Sequence, residues 1–201
     1  MPKPHRWALA VFAVIFAATW WHPQWPVEQG LHHSLTVLAL IGLIWAQRRL
    51  KLPLSSFVLA LVFLTLHTIA ARWIYSFVPY QEWFPALRSD RNHFDRLVHL
   101  SWGLLLAPIV VQVLRDRGWR RVWAVIAAIS AIVTTGALYE IFEWCISLLL
   151  APDAVESYNG QQGDMFDPQK DQALALLGAF AGASVACLRR QREGHRGDEQ
   201  G

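Results

Sequence analysis

From Val122 to Ala151 the chain reads VWAVIAAISAIVTTGALYEIFEWCISLLLA. Its first 18 residues carry no charge; Glu140 and Glu143 follow, and then the sequence turns apolar again. About 20 consecutive apolar residues cross a bilayer, so this run reads as a membrane span. At 30 residues it is longer than a span needs. It must tilt, bend near Glu143, or finish along the interface. Two carboxylates inside such a run are costly and require a partner or a purpose. Beyond it lies a turn-rich loop, Tyr158 to Asp164, and a re-entry through Asp167-Pro168-Gln169-Lys170-Asp171.

The rest of the chain repeats the pattern. Of 201 residues 54% are hydrophobic and only 16% are charged, against about 25% charged in a soluble domain. The apolar residues come in blocks of roughly span length. We expect an all-α bundle of six transmembrane helices forming one domain over residues 1–192, with spans near 7–21, 31–46, 54–71, 97–114, 122–150 and 168–188. A disordered tail, 193–201, closes the chain. The first block follows Lys3, His5 and Arg6 but lacks a small-residue cleavage site, so it reads as a retained span. Residues 73–96 are rich in Trp, Tyr and Phe, interrupted by Pro79 and Pro85, and suit the membrane interface. Cys145 and Cys187 fall in different blocks and are expected as free, buried thiols; two cysteines exclude a disulfide framework or a zinc finger.

Charge fixes the expected orientation. The amino terminus, 47–51, 115–121 and the carboxyl tail hold 13 Lys/Arg against 4 acids, while the remainder holds 5 against 11. By the positive-inside rule both termini are cytoplasmic. The pI near 9.1 is therefore a topology signal with the lipid bilayer as partner, not a sign of nucleic acid.

This topology gathers polar residues from several segments at one depth, near the extracytoplasmic face. Glu140 lies 19 residues beyond Arg121, roughly 28 Å along a helix. Asp95/His99 and Asp167/Asp171 are i,i+4 pairs and Glu140/Glu143 an i,i+3 pair, each on one helical face. Glu140, Glu143, Asp95, His99, Asp171 and Asp164 form an oxygen-rich set with one imidazole, which suits a divalent metal ion. Catalytic candidates are Glu140, Glu143 and His99. Arg96 would neutralise a phosphate or a carboxylate, as Arg72 would a glutamate. Blander readings stand beside these. Asp167 before Pro168 is a structural helix cap, His67 a hydrogen-bonded core residue, and the Gly178/Gly182 face with Ala175, Ala179 and Ala183 a helix-packing surface.

Three ordered motifs carry a resemblance: Arg91-Asn92-His93-Phe94-Asp95-Arg96-Leu97-Val98-His99, Tyr139-Glu140-Ile141-Phe142-Glu143-Trp144, and Gln162-Gly163-Asp164-Met165-Phe166-Asp167-Pro168-Gln169-Lys170-Asp171. Over nearly the whole chain they resemble the YjdF-type family of bacterial inner-membrane proteins, a domain of unknown function. The resemblance implies a multi-span helical protein of the inner membrane and no particular substrate. The acidic helix end is distantly similar to VanZ-like membrane proteins, which hints at the cell envelope. The leading expectation is a cation-dependent site for a lipid-linked or phosphate-bearing envelope molecule. Two alternatives remain open: a small proton-coupled transporter using Glu140 and Glu143, and a non-catalytic scaffold with a structural ion-pair cluster.

Overall fold

A computed structural model describes residues 1–148 and 161–198. The end of the long apolar segment after Leu148 and the expected Tyr158-Asn159-Gly160 turn lie outside the described residues. Among the described residues all regular structure is helical: α1 (Lys3–Thr19), α2 (Pro26–Leu50), α3 (Leu54–Arg72), α4 (Tyr80–Trp83), a 3-10 turn at Pro85–Leu87, α5 (Phe94–Asp116), α6 (Arg121–Ser147) and α7 (Asp167–Asp198). Proline marks the starts. Pro26 opens α2 and Pro53 caps α3, positions where its missing N–H costs no helical bond.

Among the described residues five helices are long and apolar enough to cross a membrane: α2, α3, α5, α6 and the Asp167–Leu188 part of α7. α1, at 17 residues, is shorter. α6 runs without a break through Glu140 and Glu143. α7 continues to Asp198, into the stretch expected as a disordered tail. Large apolar side chains such as Val14, Leu38, Ile41, Leu104, Ile126, Leu177 and Phe180 face outward. Gln29, His32, His33, Thr36, Asp95, His99 and Asp171 are buried. Apolar outside and polar inside is the distribution expected when the solvent is lipid. Cys187 is buried but Cys145 is exposed, correcting one of the two expected buried thiols; both are free.

Two groups of three helices meet along α3 and α5. α3 packs against α1 and α2, and α5 against α6 and α7. The closest pair is α5 with α7. A methyl group at Gly103 would overlap Ala175 O and Ala179 N, and one at Gly178 would overlap Leu100 O. At Gly182 it would strike Leu104 O and the Pro108 ring. Pro108 lies inside α5 and has no N–H to give Leu104 O. The glycine lets α7 close over that carbonyl. The expected Gly178/Gly182 packing face is thus real, and its counterpart on α5 is Gly103.

The expected interfacial segment divides in two. Ile74, Tyr75 and Val78 belong to the core, whereas Trp83, Phe84 and Leu87 are exposed. Ile74 and Tyr75 both have positive φ, 40° and 60°, a region that disfavours a β-branched residue. This tight reversal after α3 carries Tyr75 back beside His67.

Gly178→Ala should lower stability by roughly 1–3 kcal/mol or prevent folding, because α5 backbone cannot move aside. Gly42→Ala, where an added Cβ meets nothing within 4 Å, should be neutral. Thermal unfolding of both variants in detergent checks this; equal midpoints would show that the seam does not limit packing.

Candidate functional site

The small-residue seam continues directly into the polar cluster. On α5 the i,i+4 series is Asp95, His99, Gly103, Ala107; on α7 it is Asp167, Asp171, Ala175, Ala179, Ala183; on α6 it is Ala124, Ala128, Ile132, Gly136, Glu140. All these residues are buried except Glu140, which is partly so. Each helix buries a stripe of small or apolar residues that ends, at the same end of the bundle, in an acid or an acid–imidazole pair.

Asp95, His99 and Asp171 each offer a donor atom, and those three atoms lie within 4.8 Å of one another. His99 Nε2 stands 3.4 Å from Asp95 Oδ1 and 3.8 Å from Glu140 Oε1. Asp171 is only 3% exposed, and its Oδ1 has no hydrogen-bond partner; nor has Glu140 Oε1. An orphaned buried carboxylate oxygen is expensive. Among the described residues no Lys or Arg pairs with Asp95, Asp171 or Glu140. Three carboxylates beside one imidazole that approaches two of them fit a divalent cation by donor type.

The other expected ligands go elsewhere. Asp164 Oδ2 accepts from Arg96 Nη2 at 3.0 Å and Lys170 Nζ at 2.5 Å. Asp167 Oδ1 lies 2.5 Å from Arg91 Nη2 and 3.3 Å from Arg96 Nη2. Arg96 therefore pairs with aspartates and not with the glutamates, and Asp167, read as a cap, receives two guanidiniums at the start of α7. Arg72 donates to Thr19 O. The Arg91–Asn92 motif is held by the loop before α7: Arg91 Nη1 donates to Gln161 O at 2.6 Å, and Asn92 and Gln162 exchange two 2.9 Å hydrogen bonds. Outside the spans, Lys170's hydrogen bond is the main cause holding the Asp164 carboxyl below its ordinary value. His93 is also held low, by partial desolvation first and then by Arg96 and Arg91.

Glu143, also expected as a ligand, is not among the three converging donors. It also lines, with Glu140, Asp167 and Asp171, an outer pocket of about 510 Å³. On the inner side a cavity of about 150 Å³ is lined by His67, Tyr75, His99 and Tyr139 along with apolar residues. The cluster stands between the two. Sequence reasoning missed Tyr75 on this inner cavity and His32 behind it, whereas His67 is the hydrogen-bonded core residue expected. His67 Nε2 lies 3.3 Å from His32 O and so carries the proton; its Nδ1 then accepts from Tyr75 OH. Tyr139 OH lies 3.5 Å from both His32 Nδ1 and Tyr75 OH. The available signal was the buried polar stripe Gln29, His32, His33, Thr36 on α2, at helical spacing in an apolar helix.

Because its pKa is depressed, Asp164 stabilises the fold above its unfolded value, about 3.9, and that contribution disappears as pH falls through the lower folded value. Asp164→Asn should therefore lower the thermal midpoint at pH 7, and the gap from wild type should close below about pH 4. A pH-independent gap would show that the ionised carboxylate is not what anchors the loop.

The family described as "Predicted membrane protein (DUF2238)" matches residues 4–192. "Inner membrane protein YjdF" of Escherichia coli (strain K12) is 31% identical over 154 residues, covering 72% of this chain and 70% of that protein. No solved structure matches. The match spans every helix that contributes to the cluster, and the chain belongs to the DUF2238 family of membrane proteins, of the YjdF type.

Proposed function

We propose that this chain is a six-span inner-membrane protein whose Asp95, His99, Asp171 and Glu140 hold a divalent cation for binding a phosphate-bearing molecule of the cell envelope. One observation carries the reading. Three donors from two helices converge within 4.8 Å while Asp171 Oδ1, fully enclosed, has no partner. A bound cation removes the charge imbalance and offers open coordination positions to phosphate oxygens. The nearby guanidiniums of Arg91 and Arg96 add positive potential at the mouth.

The six-span topology counts α1, about 26 Å long, whose Trp20 and Trp21 suit the interface. The excess of basic residues at the ends opposite the cluster supports cytoplasmic termini and an extracytoplasmic site. A second reading, proton coupling, draws on the hydrogen-bonded string His67–Tyr75–Tyr139, with Glu143 one turn beyond Tyr139 on α6. Proton flux into liposomes that depends on Glu143 and on no metal would favour it.

Metal content tests the first reading. Purified protein in nanodiscs is incubated with Mg, Mn, Ca or Zn, desalted and analysed by mass spectrometry. We expect about one ion per chain in wild type and in Asp164→Asn, and at least a tenfold loss of affinity in Asp171→Asn, as a lost ligand or supporting group produces. No ion in wild type, or equal occupancy in folded Asp171→Asn, would overturn the assignment.

A further inference from the structure

The inner cavity does not end at its polar wall. Ala39, Phe63, Leu64 and Trp102 line it and also line a further apolar cavity of about 380 Å³, which runs between α2, α3 and α5 toward Leu50 and Leu114. With four shared wall residues the two cavities adjoin, and we read them as one passage along α2. Phe63 and Trp102, ring centroids 5.0 Å apart, pack at the junction. Along α2 the passage extends from Leu35 to Leu50, roughly 22 Å of helix. That exceeds the half-thickness of the hydrocarbon core, about 15 Å.

Its polarity is graded. His99, Tyr139, Tyr75 and His67 stand at one end, beside the cation cluster, and the far part is walled almost wholly by apolar side chains. It is also open sideways. α2 packs closely on α3 but not on α5 or α6. Across to α6, Tyr139 OH lies 3.5 Å from His32 Nδ1. Ala39 is exposed in this opening. Apolar space of this size within a bilayer forfeits dispersion contacts unless a chain fills it. The occupant must be apolar along its length, with its polar group at the cluster end.

We propose that this passage binds the single apolar chain of a membrane lipid phosphate, which enters sideways between α2 and α6 and delivers its phosphate to the Asp95–His99–Asp171–Glu140 cation. The assignment rests on the cation reading for its headgroup half only. The outer pocket bounded by Glu140, Glu143 and Asp167 receives whatever the phosphate carries.

The test uses full-length protein in phosphatidylcholine nanodiscs with Mg²⁺. The probes are a diazirine-bearing long-chain alkyl phosphate and the matching alkyl alcohol, with labelled residues mapped by mass spectrometry. Ala39→Trp plugs the junction from an exposed position, and its metal content reports that the cluster is intact. We expect phosphate-probe labelling at Leu43, Leu106 and Val110, about tenfold weaker with the alcohol and about tenfold weaker in Ala39→Trp, a difference of about 1.4 kcal/mol. Labelling that is no stronger there than at the outward-facing Val37 and Leu104, or that is unchanged in Ala39→Trp, would overturn the passage. Equal labelling by alcohol and phosphate would overturn phosphate selection. Passage labelling that keeps its phosphate preference in Asp171→Asn and without divalent ions would uphold the chain site while removing the cation from it.

Discussion

The contact on which the rest depends is backbone against backbone between α5 and α7. Gly103, Gly178 and Gly182 allow an approach that no side chain permits. In lipid no hydrophobic force drives helices together, so close packing and the interactions it enables must do so. The seam has a second effect. Asp95 and His99 lie on the same α5 stripe as Gly103, and Asp171 on the same α7 stripe as Ala175 and Ala179. Bringing the glycines together brings these ionisable groups together. The cluster is the end of the packing surface, and the energy that seats the small residues also holds three donors within 4.8 Å.

α6 completes the arrangement by the same logic. A methyl at Gly136 would press on the Gln172 amide, and Trp102 Nε1 donates to Ile132 O. These contacts fix α6 against both partners and set the depth of Glu140, one turn beyond Gly136. Glu143 lies on an adjoining part of the helix surface, one turn beyond Tyr139. The two glutamates, alike in the sequence, thus have different neighbours, and only Glu140 approaches His99 within 4 Å.

Much of this was legible in the chain. Block length and the charge asymmetry indicated a helical membrane bundle, and the i,i+4 spacing of Asp95 with His99 and the Gly178/Gly182 stripe marked the right faces. Gly103 was not legible, since one glycine in an apolar helix has no pattern of its own. Asp164 was misplaced because sequence depth cannot distinguish a ligand from an ion-pair partner; Lys170, six residues on, was the competing cation. His32 and Tyr75 were missed for different reasons. His32 needed the buried polar stripe of α2 to be seen as a stripe. Tyr75 needed the left-handed reversal at Ile74, which no local propensity favours.

The division of charge along α7 bears most directly on chemistry. Arg91 and Arg96 converge on Asp167 and Asp164, and neither pairs with Asp171, one turn further along α7. Had a guanidinium reached Asp171, the buried carboxylates would form a closed ion pair with no call for another ligand. Instead the Lys and Arg side chains stop at the mouth, His99 is the basic group that approaches Asp95 and Glu140, and Asp171 Oδ1 has no donor. The outer set leaves buried atoms unpaired too, Arg96 Nε and Asp167 Oδ2 among them, and partly satisfied buried networks are costly. The outer set, Arg91, Arg96 and Lys170 with Asp164 and Asp167, has a staple's geometry. The inner set brings donor atoms of Asp95, His99 and Asp171 within 4.8 Å of one another, and the outer pairing holds the start of α7 one turn away from it.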